Sequence, residues 1–289
     1  MAFDWMPLVI VYIFTNSFSK IVQKLALKGQ EIDSSAFCAV FLGSVGILSI
    51  PVLIFEDVVI PTSWWVWLIT VFNGFLYAVC MMLFYHALKG TEVSQVEAIA
   101  TTRTLWFVVL GIIFFTETLN LSLFIGVGLI ALGLFVIYWN KNHSFRLGKY
   151  QIYTFIYAFI ISCNYALDKY LLDYFSVTFY QVVIYILPAL FTLIIKPQTL
   201  KHIKPLFQPH KGRYLIGVST ILQATSTLAL YAAYKSGGAL SVVGPIAQTS
   251  TVVTITVGIL FLKEHWNLKR KVTGIVLCLA GVFILRIFV

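Results

Sequence analysis

Apolar residues in this chain come in long blocks rather than in the alternation of a half-buried strand. Blocks bounded by charges, Pro or Gly fall at 5–27, 35–55, 64–87, 93–115, 120–140, 150–172, 177–196, 213–235, 240–262 and 268–288. Each is near the ~20 residues that cross ~30 Å of hydrocarbon. Backbone amides in lipid find no water, so a spanning segment must satisfy them within itself or within a closed barrel. Without period-two alternation, the blocks predict helices. The expected fold is therefore all-α, a polytopic membrane protein of ten transmembrane helices. Trp64, Trp65 and Trp67 follow Pro61 at the edge of one block, and Trp139 and Trp266 stand at two others, where aromatic side chains anchor helices at the headgroup level.

Composition sharpens the picture by exclusion. Of 289 residues 60% are apolar and 11% charged, against about 45–50% and about 25% in a soluble domain. A soluble domain of this make-up would lack polar surface to cover itself. The net charge of +9 raises the possibility of nucleic acid, but the apolar blocks leave little room for a basic soluble domain, so no nucleic-acid partner is expected. Cys38, Cys80, Cys163 and Cys278 lie scattered in apolar blocks without CxxC spacing and read as small buried hydrophobes. No basic stretch precedes the first block, so no cleavable signal peptide is expected. The longest polar loop, 196–213, is too short for a soluble domain, which directs the search for function to the space between helices.

The charges set an orientation. With the N-terminus outside, the loops that face the cytoplasm hold fourteen Lys and Arg and the opposite loops two, Lys235 and Arg286. The positive-inside rule then puts both termini outside the cytoplasm. The expected location is a bacterial inner membrane.

The chain also repeats itself. Gly111-Ile112, Phe114, Glu117 and Asn120-Leu121 match Gly258-Ile259, Phe261, Glu264 and Asn267-Leu268 at a spacing of 147 residues. After one inserted residue Gly126, Leu129, Gly133 and Phe135 match Gly274, Leu277, Gly281 and Phe283. Lys20 matches Lys169 nearer the front of each half. The expected organisation is a first repeat at 1–140, a basic linker at 141–149 and a second repeat at 150–289. Five spans per repeat is an odd number, so the second copy enters the membrane from the opposite side. Such a 5+5 inverted-topology repeat suits alternating access, because two like halves can exchange conformations.

The GIIFFTE run at Gly111–Glu117 and the GILFLKE run at Gly258–Glu264, each before a Gly-spaced helix, resemble the two EamA repeats of the drug/metabolite transporter superfamily. The Ala87-Leu88-Lys89 and Ala233-Tyr234-Lys235 junctions resemble its turns between helices 3 and 4 and helices 8 and 9. The resemblance implies ten helices, secondary transport and export of small metabolites or amino acids. It also implies cytoplasmic termini, opposite to the loop charges.

Candidate site residues follow from depth. Arg103 stands ten residues into its span, ~15 Å deep at 1.5 Å per residue. Asn16, Asn73, Gln223 and Gln248 fall at similar depth on four other spans. A guanidinium at the midplane costs about 2.5–3.5 kcal/mol on insertion scales, so it should face protein or water. Its fork can grip a carboxylate or phosphate, or it can pair internally with Glu97 or Asp168. Tyr77, Tyr165, Tyr231 and Thr101 could line a path for a polar substrate. Glu97 is a candidate for a coupling proton, or snorkels to the interface; its repeat mate is Gly244, beside Pro245, which favours a kink in the ninth span. Lys20 and Lys169 could attract anions at the cavity mouths, or snorkel.

Glu117 and Glu264 read as structural, with Asn120 and Asn267 placed as helix caps. Gly126 and Gly133 on the fifth span, and Gly274 and Gly281 on the tenth, allow close helix approach, either within the chain or in a homodimer. No metal or cofactor is expected. His86 stands alone, and Asp168 and Asp173 are about 500° apart on a helix, so they form no ligand face. No nucleotide-binding P-loop is present. The leading expectation is a non-enzymatic secondary transporter of a small polar metabolite, an amino acid or related organic anion. The alternatives are a non-transporting membrane partner or lipid scramblase, and an intramembrane lipid-modifying enzyme.

Overall fold

The computed structural model describes residues 5–27, 33–90, 96, 99–118, 120–138, 148–207, 210–261 and 268–288. Among these residues the regular structure is helical, without strands. The helices are α1 (Trp5–Leu27), α2 (Ser34–Ser49, continued by a 3₁₀ turn Ile50–Phe55), α3 (Trp64–Gly90), α4 (Arg103–Phe115) and α5 (Leu121–Tyr138). The second repeat supplies α6 (Lys149–Leu171), α7 (Val177–Ile195), α8 (His210–Lys235), α9 (Leu240–Gln248), α10 (Ser250–Phe261) and α11 (Leu268–Phe288). A short turn of helix, Ile203–Phe207, lies in the loop between α7 and α8. The chain is an all-α polytopic membrane protein.

Among the described residues, five helices are long and apolar enough to cross a bilayer: α1, α2 with its 3₁₀ extension, α3, α7 and α8. Shorter apolar helices occupy Arg103–Phe115, Leu121–Ile137 and Val272–Leu285. The distribution of side chains is inverted relative to a soluble protein. Phe55, Trp64, Ile113, Leu121 and Phe124 stand exposed, while Asn16, Asn73, Gln181, Asn164 and Asp168 are buried. Lipid is the solvent that accepts such an exterior.

The ninth span is divided into α9 and α10 at Thr249, four residues after Pro245. Proline supplies no N–H to the helix ladder and crowds the preceding turn. The Thr249 N–H donates to Ile246 O, three residues back, and its hydroxyl donates to the same carbonyl. The fourth span contains an equivalent turn, although no proline is there. Thr102 N–H and Oγ1 both donate to Ile99 O, and Thr104 and Leu105 N–H donate to Thr101 O and Thr102 O. Both spans thus tighten from α to 3₁₀ pitch at one repeat-equivalent position.

The contacts fall into two compact units. Unit 1 comprises Met1–Tyr85 and Leu167–Ser236; unit 2 comprises His86–Ala166 and Gly237–Val289. Helices α3 and α6 therefore divide between them. In unit 1, α1 lies along α8, α2 along α7, and α8 also touches α2 and α7. Hydroxyls join these helices, Ser19 Oγ donating to Ser219 O at 3.0 Å and Ser44 Oγ meeting Thr220 Oγ1 at 3.1 Å. In unit 2, α5 lies along α11 and α4 along α9. The α5–α11 seam is made by the four glycines of the sequence pattern. A Cβ on Gly133 would stand 2.6 Å from Gly274 O, and one on Gly126 3.1 Å from Gly281 O. The absent side chains let the two backbones meet, as small residues do in membranes. The repeats are units of sequence; the compact units each draw helices from both.

Candidate functional site

Unit 1 contains a polar cluster around one carboxylate. Asp168, near the end of α6, accepts three hydrogen bonds from three other helices. Tyr180 OH on α7 donates to Oδ1 at 2.6 Å and Asn73 Nδ2 on α3 to the same oxygen at 2.8 Å. Tyr231 OH on α8 donates to Oδ2 at 3.1 Å. Asn73 Nδ2 also approaches Tyr180 OH at 3.2 Å, and the Tyr180 and Tyr231 rings meet at 5.3 Å. Burying a carboxylate is expensive unless donors replace its water, and three donors do so here. Asn73 Oδ1, on the other side of the amide, is buried without a hydrogen-bond partner.

The same unit continues into a hydroxyl and amide layer. Tyr185 OH shares a hydrogen bond of 2.7 Å with Thr227 Oγ1. Gln223 Nε2 reaches Thr227 Oγ1 at 3.3 Å and Tyr185 OH at 3.4 Å, while its Oε1 accepts from Ser19 Oγ at 3.2 Å. The Tyr77 ring packs edge-on against Tyr185 at 6.3 Å. Sequence-predicted residues thus gather in two groups in this unit: Asn73 with Tyr231 around Asp168, and Gln223 with Tyr77 around Tyr185. Asn16 is buried on α1, and Lys20 and Lys169 are half-buried.

Unit 2 contains a buried cation. Arg103 opens α4 directly after the Thr101–Thr102 turn and is 9% exposed. Its Nη1 donates to Tyr157 OH on α6 at 3.2 Å, and its carbonyl accepts from Ser162 Oγ at 3.4 Å. The neighbouring Thr104 Oγ1 is buried without a partner. Tyr165 packs edge-on against Phe107 at 5.6 Å, one turn along α4. Thr101 is buried within the turn, and Gln248 is buried at the end of α9.

The residues expected to be structural act as follows. Asn120 Oδ1 accepts from Leu123 N at 2.7 Å and caps α5. Glu117 reaches α9, 123 residues on. Its two oxygens accept from Leu240 N at 2.7 Å and Ser241 N at 2.9 Å, at the helix end where the macrodipole favours a negative charge. The carboxylate folds over Gly111, where any side chain would displace it. Glu97, Glu264 and Asn267 lie outside the described residues.

Residues 4–139 and 148–287 each match the EamA-like transporter family. The chain belongs to that family. It is similar to an uncharacterized transporter of Methanothermobacter thermautotrophicus, with 27% identity over 208 residues, 71% of this chain. The match spans 60% of the length of that curated relative. A solved crystal structure superposes with a TM-score of 0.74 at 12% identity, covering 97% of this chain and 95% of the other, a likeness of fold.

Two features of this EamA-like chain were open to sequence reasoning and passed over. The sequence offers Asp168 as a partner for Arg103 and rejects it as a ligand pair with Asp173; its cluster is not legible there, since its three donors come from distant positions 73, 180 and 231. The repeated turn has a local signal that the motif comparison missed. Ile99-Ala100-Thr101-Thr102-Arg103 and Ile246-Ala247-Gln248-Thr249-Ser250 match at the same spacing of 147. Arg103 is therefore the repeat mate of Ser250, and a cation stands on one side of the repeat only.

Proposed function

We propose that the chain is a secondary active transporter that exports a small polar metabolite, an amino acid or a related organic anion, by alternating access. The observation that carries this reading is the paired turn at Thr102 and Thr249, with buried Arg103 on the helix after the first. Discontinuous spans at repeat-equivalent positions are the sites where inverted-repeat transporters bind solute and bend. The two repeats, 1–140 and 150–289, supply the like halves of opposite topology whose conformations are exchanged. Arg103 grips the substrate carboxylate through two hydrogen bonds. In the same unit as Arg103, the amide of Gln248, the phenol of Tyr165 and the hydroxyl of Thr101 orient the rest of the solute.

The transport cycle is proton-driven, with Glu97 one candidate for the proton. The chain resides in a bacterial inner membrane with both termini outside, as the loop charges favour. Export is the direction that the family resemblance supports.

The test is flux in proteoliposomes loaded with a carbon-14 amino-acid mixture. Saturable efflux that falls in Arg103→Ala and partly returns in Arg103→Lys is the expected result. Saturable efflux that Arg103→Ala leaves untouched removes the assigned role. Labelled lipid crossing the bilayer, with no saturable solute flux, favours a scramblase instead.

A further inference from the structure

The Asp168 cluster is built differently from a structural ion pair. Its donors are an amide and two phenols, with no cation among them. The titratable groups that face it are Tyr180 and Tyr185 from α7 and Tyr231 from α8, with Tyr77 of α3 and Tyr12 of α1 beyond them. The nearby Lys235 ammonium is engaged elsewhere, donating to Phe175 O at 2.6 Å. Lys169 follows Asp168 in sequence, about 100° around the helix.

One atom in the cluster is out of balance. Asn73 is fully buried, and its Nδ2 makes two contacts while its Oδ1 makes none. Such an orphaned acceptor costs free energy that a structural amide would normally avoid. With no partner on that side, no hydrogen bond there ties the amide to one orientation, and the turned amide leaves Nδ2 unpartnered in place of Oδ1. Rotation of the amide by about 180° about its last bond exchanges Nδ2 for Oδ1, because the two ends have the same shape and opposite hydrogen-bonding character. Asp168 Oδ1 then faces an acceptor, which is satisfied only if the carboxyl carries a proton. In one state the carboxylate accepts from Asn73 Nδ2. In the other the carboxyl O–H donates to Asn73 Oδ1. Tyr180 and Tyr231 donate in both.

We propose that Asp168 is a proton-exchange site and that the Asn73 amide is the rotating partner that satisfies both of its forms. The proton binds from water to a carboxylate oxygen and leaves by the same route, and no other bond changes. A proton is the ligand the site fits, because Asn73 and Tyr180 are fully buried and leave no surface for a larger cation. Its use to drive a solute rests on the transport reading above; the exchange itself does not.

The exchange can be read without a substrate. Infrared difference spectra of the full chain in lipid nanodiscs are recorded as pH is stepped from about 9 to about 4, across the range of carboxyl titration. The expected result is a protonated-carboxyl C=O band that Asp168→Asn abolishes. Carbon-13 labelling of aspartate in the unaltered chain should shift the band, an assignment that holds even if the variant does not fold. Asn73→Leu, which removes the acceptor, should keep the band and move it to higher frequency. No aspartate band in the unaltered chain, or one that survives Asp168→Asn, overturns the proton site. A band that Asn73→Leu leaves in place overturns the role of the amide. Absence of solute flux in the proteoliposomes would defeat the transport reading and leave these outcomes intact.

Discussion

Each unit buries one charged side chain among its described residues, and the two are served differently. Asp168 in unit 1 takes donors from three other helices. Arg103 in unit 2 stands at a tightened turn of its own helix and meets a phenol from one neighbour. A carboxyl can gain or lose a proton at cellular pH, whereas a guanidinium stays charged. The contrast separates two tasks under the proposed reading. A fixed cation at a turn holds an anionic solute, and a switchable acid in a closed cluster holds the driving ion.

The strongest way to break that division is to compare the two charge removals in one assay. Arg103→Ala should lower efflux of the amino-acid mixture at every pH. Loss of a charge-assisted bond of roughly 1.5–3 kcal/mol corresponds to about 10- to 150-fold. Asp168→Asn should instead make efflux insensitive to an imposed pH gradient. If both variants lower flux equally and leave its pH dependence alone, the division of labour is wrong.

The units also differ in how their helices are joined, which predicts a smaller effect on stability. Gly133→Leu would drive a side chain into the backbone of α11 at Gly274, and overpacking of this kind costs about 1–3 kcal/mol. Gly128→Leu on the same helix meets open space and should be tolerated. In unit 1 the corresponding joint is a hydroxyl pair, and Ser44→Ala should cost about 0.5–1.5 kcal/mol. Thermal unfolding in detergent ranks the three. A Gly133→Leu melting point equal to that of Gly128→Leu would mean the seam is looser than its geometry.

These contrasts were unequally legible in the sequence. The span positions, the glycine seam and the two-repeat plan follow from block length and fixed spacing, which are properties of one dimension. Arg103 stood out because a charge deep in an apolar block is rare. Asp168 did not, because its meaning comes from Asn73, Tyr180 and Tyr231, which are distant in sequence. Glu117 shows the same limit. Its position near the end of α4 suggested a local cap, but the backbone N–H groups it satisfies belong to Leu240 and Ser241. Local pattern reports which residues are unusual, and only the fold reports what they touch.

The smallest predicted effect compares the carboxylate caps of the two units. Glu117→Gln weakens a partly buried cap on α9, worth about 0.5–2 kcal/mol. Asp33 in unit 1 is a local cap instead, its Oδ1 accepting from Ser35 N at 2.8 Å and Ala36 N at 3.0 Å, with the Lys196 ammonium 3.1 Å from Oδ2. Partial burial pushes the Asp33 carboxyl up, but the Ala36 and Ser35 amides and the Lys196 charge outweigh it and hold the group below its ordinary value. A folded value below the unfolded one means stability that is present above the unfolded value and lost as pH falls through the folded one. Asp33→Asn keeps an amide oxygen for the cap and removes the charge, so at pH 7 it should cost less than about 1 kcal/mol, as exposed pairs do. The gap in melting temperature between the two chains should close as pH falls below about 4 and shrink with added salt. A gap that persists at low pH would assign the effect to the cap rather than to the ion pair.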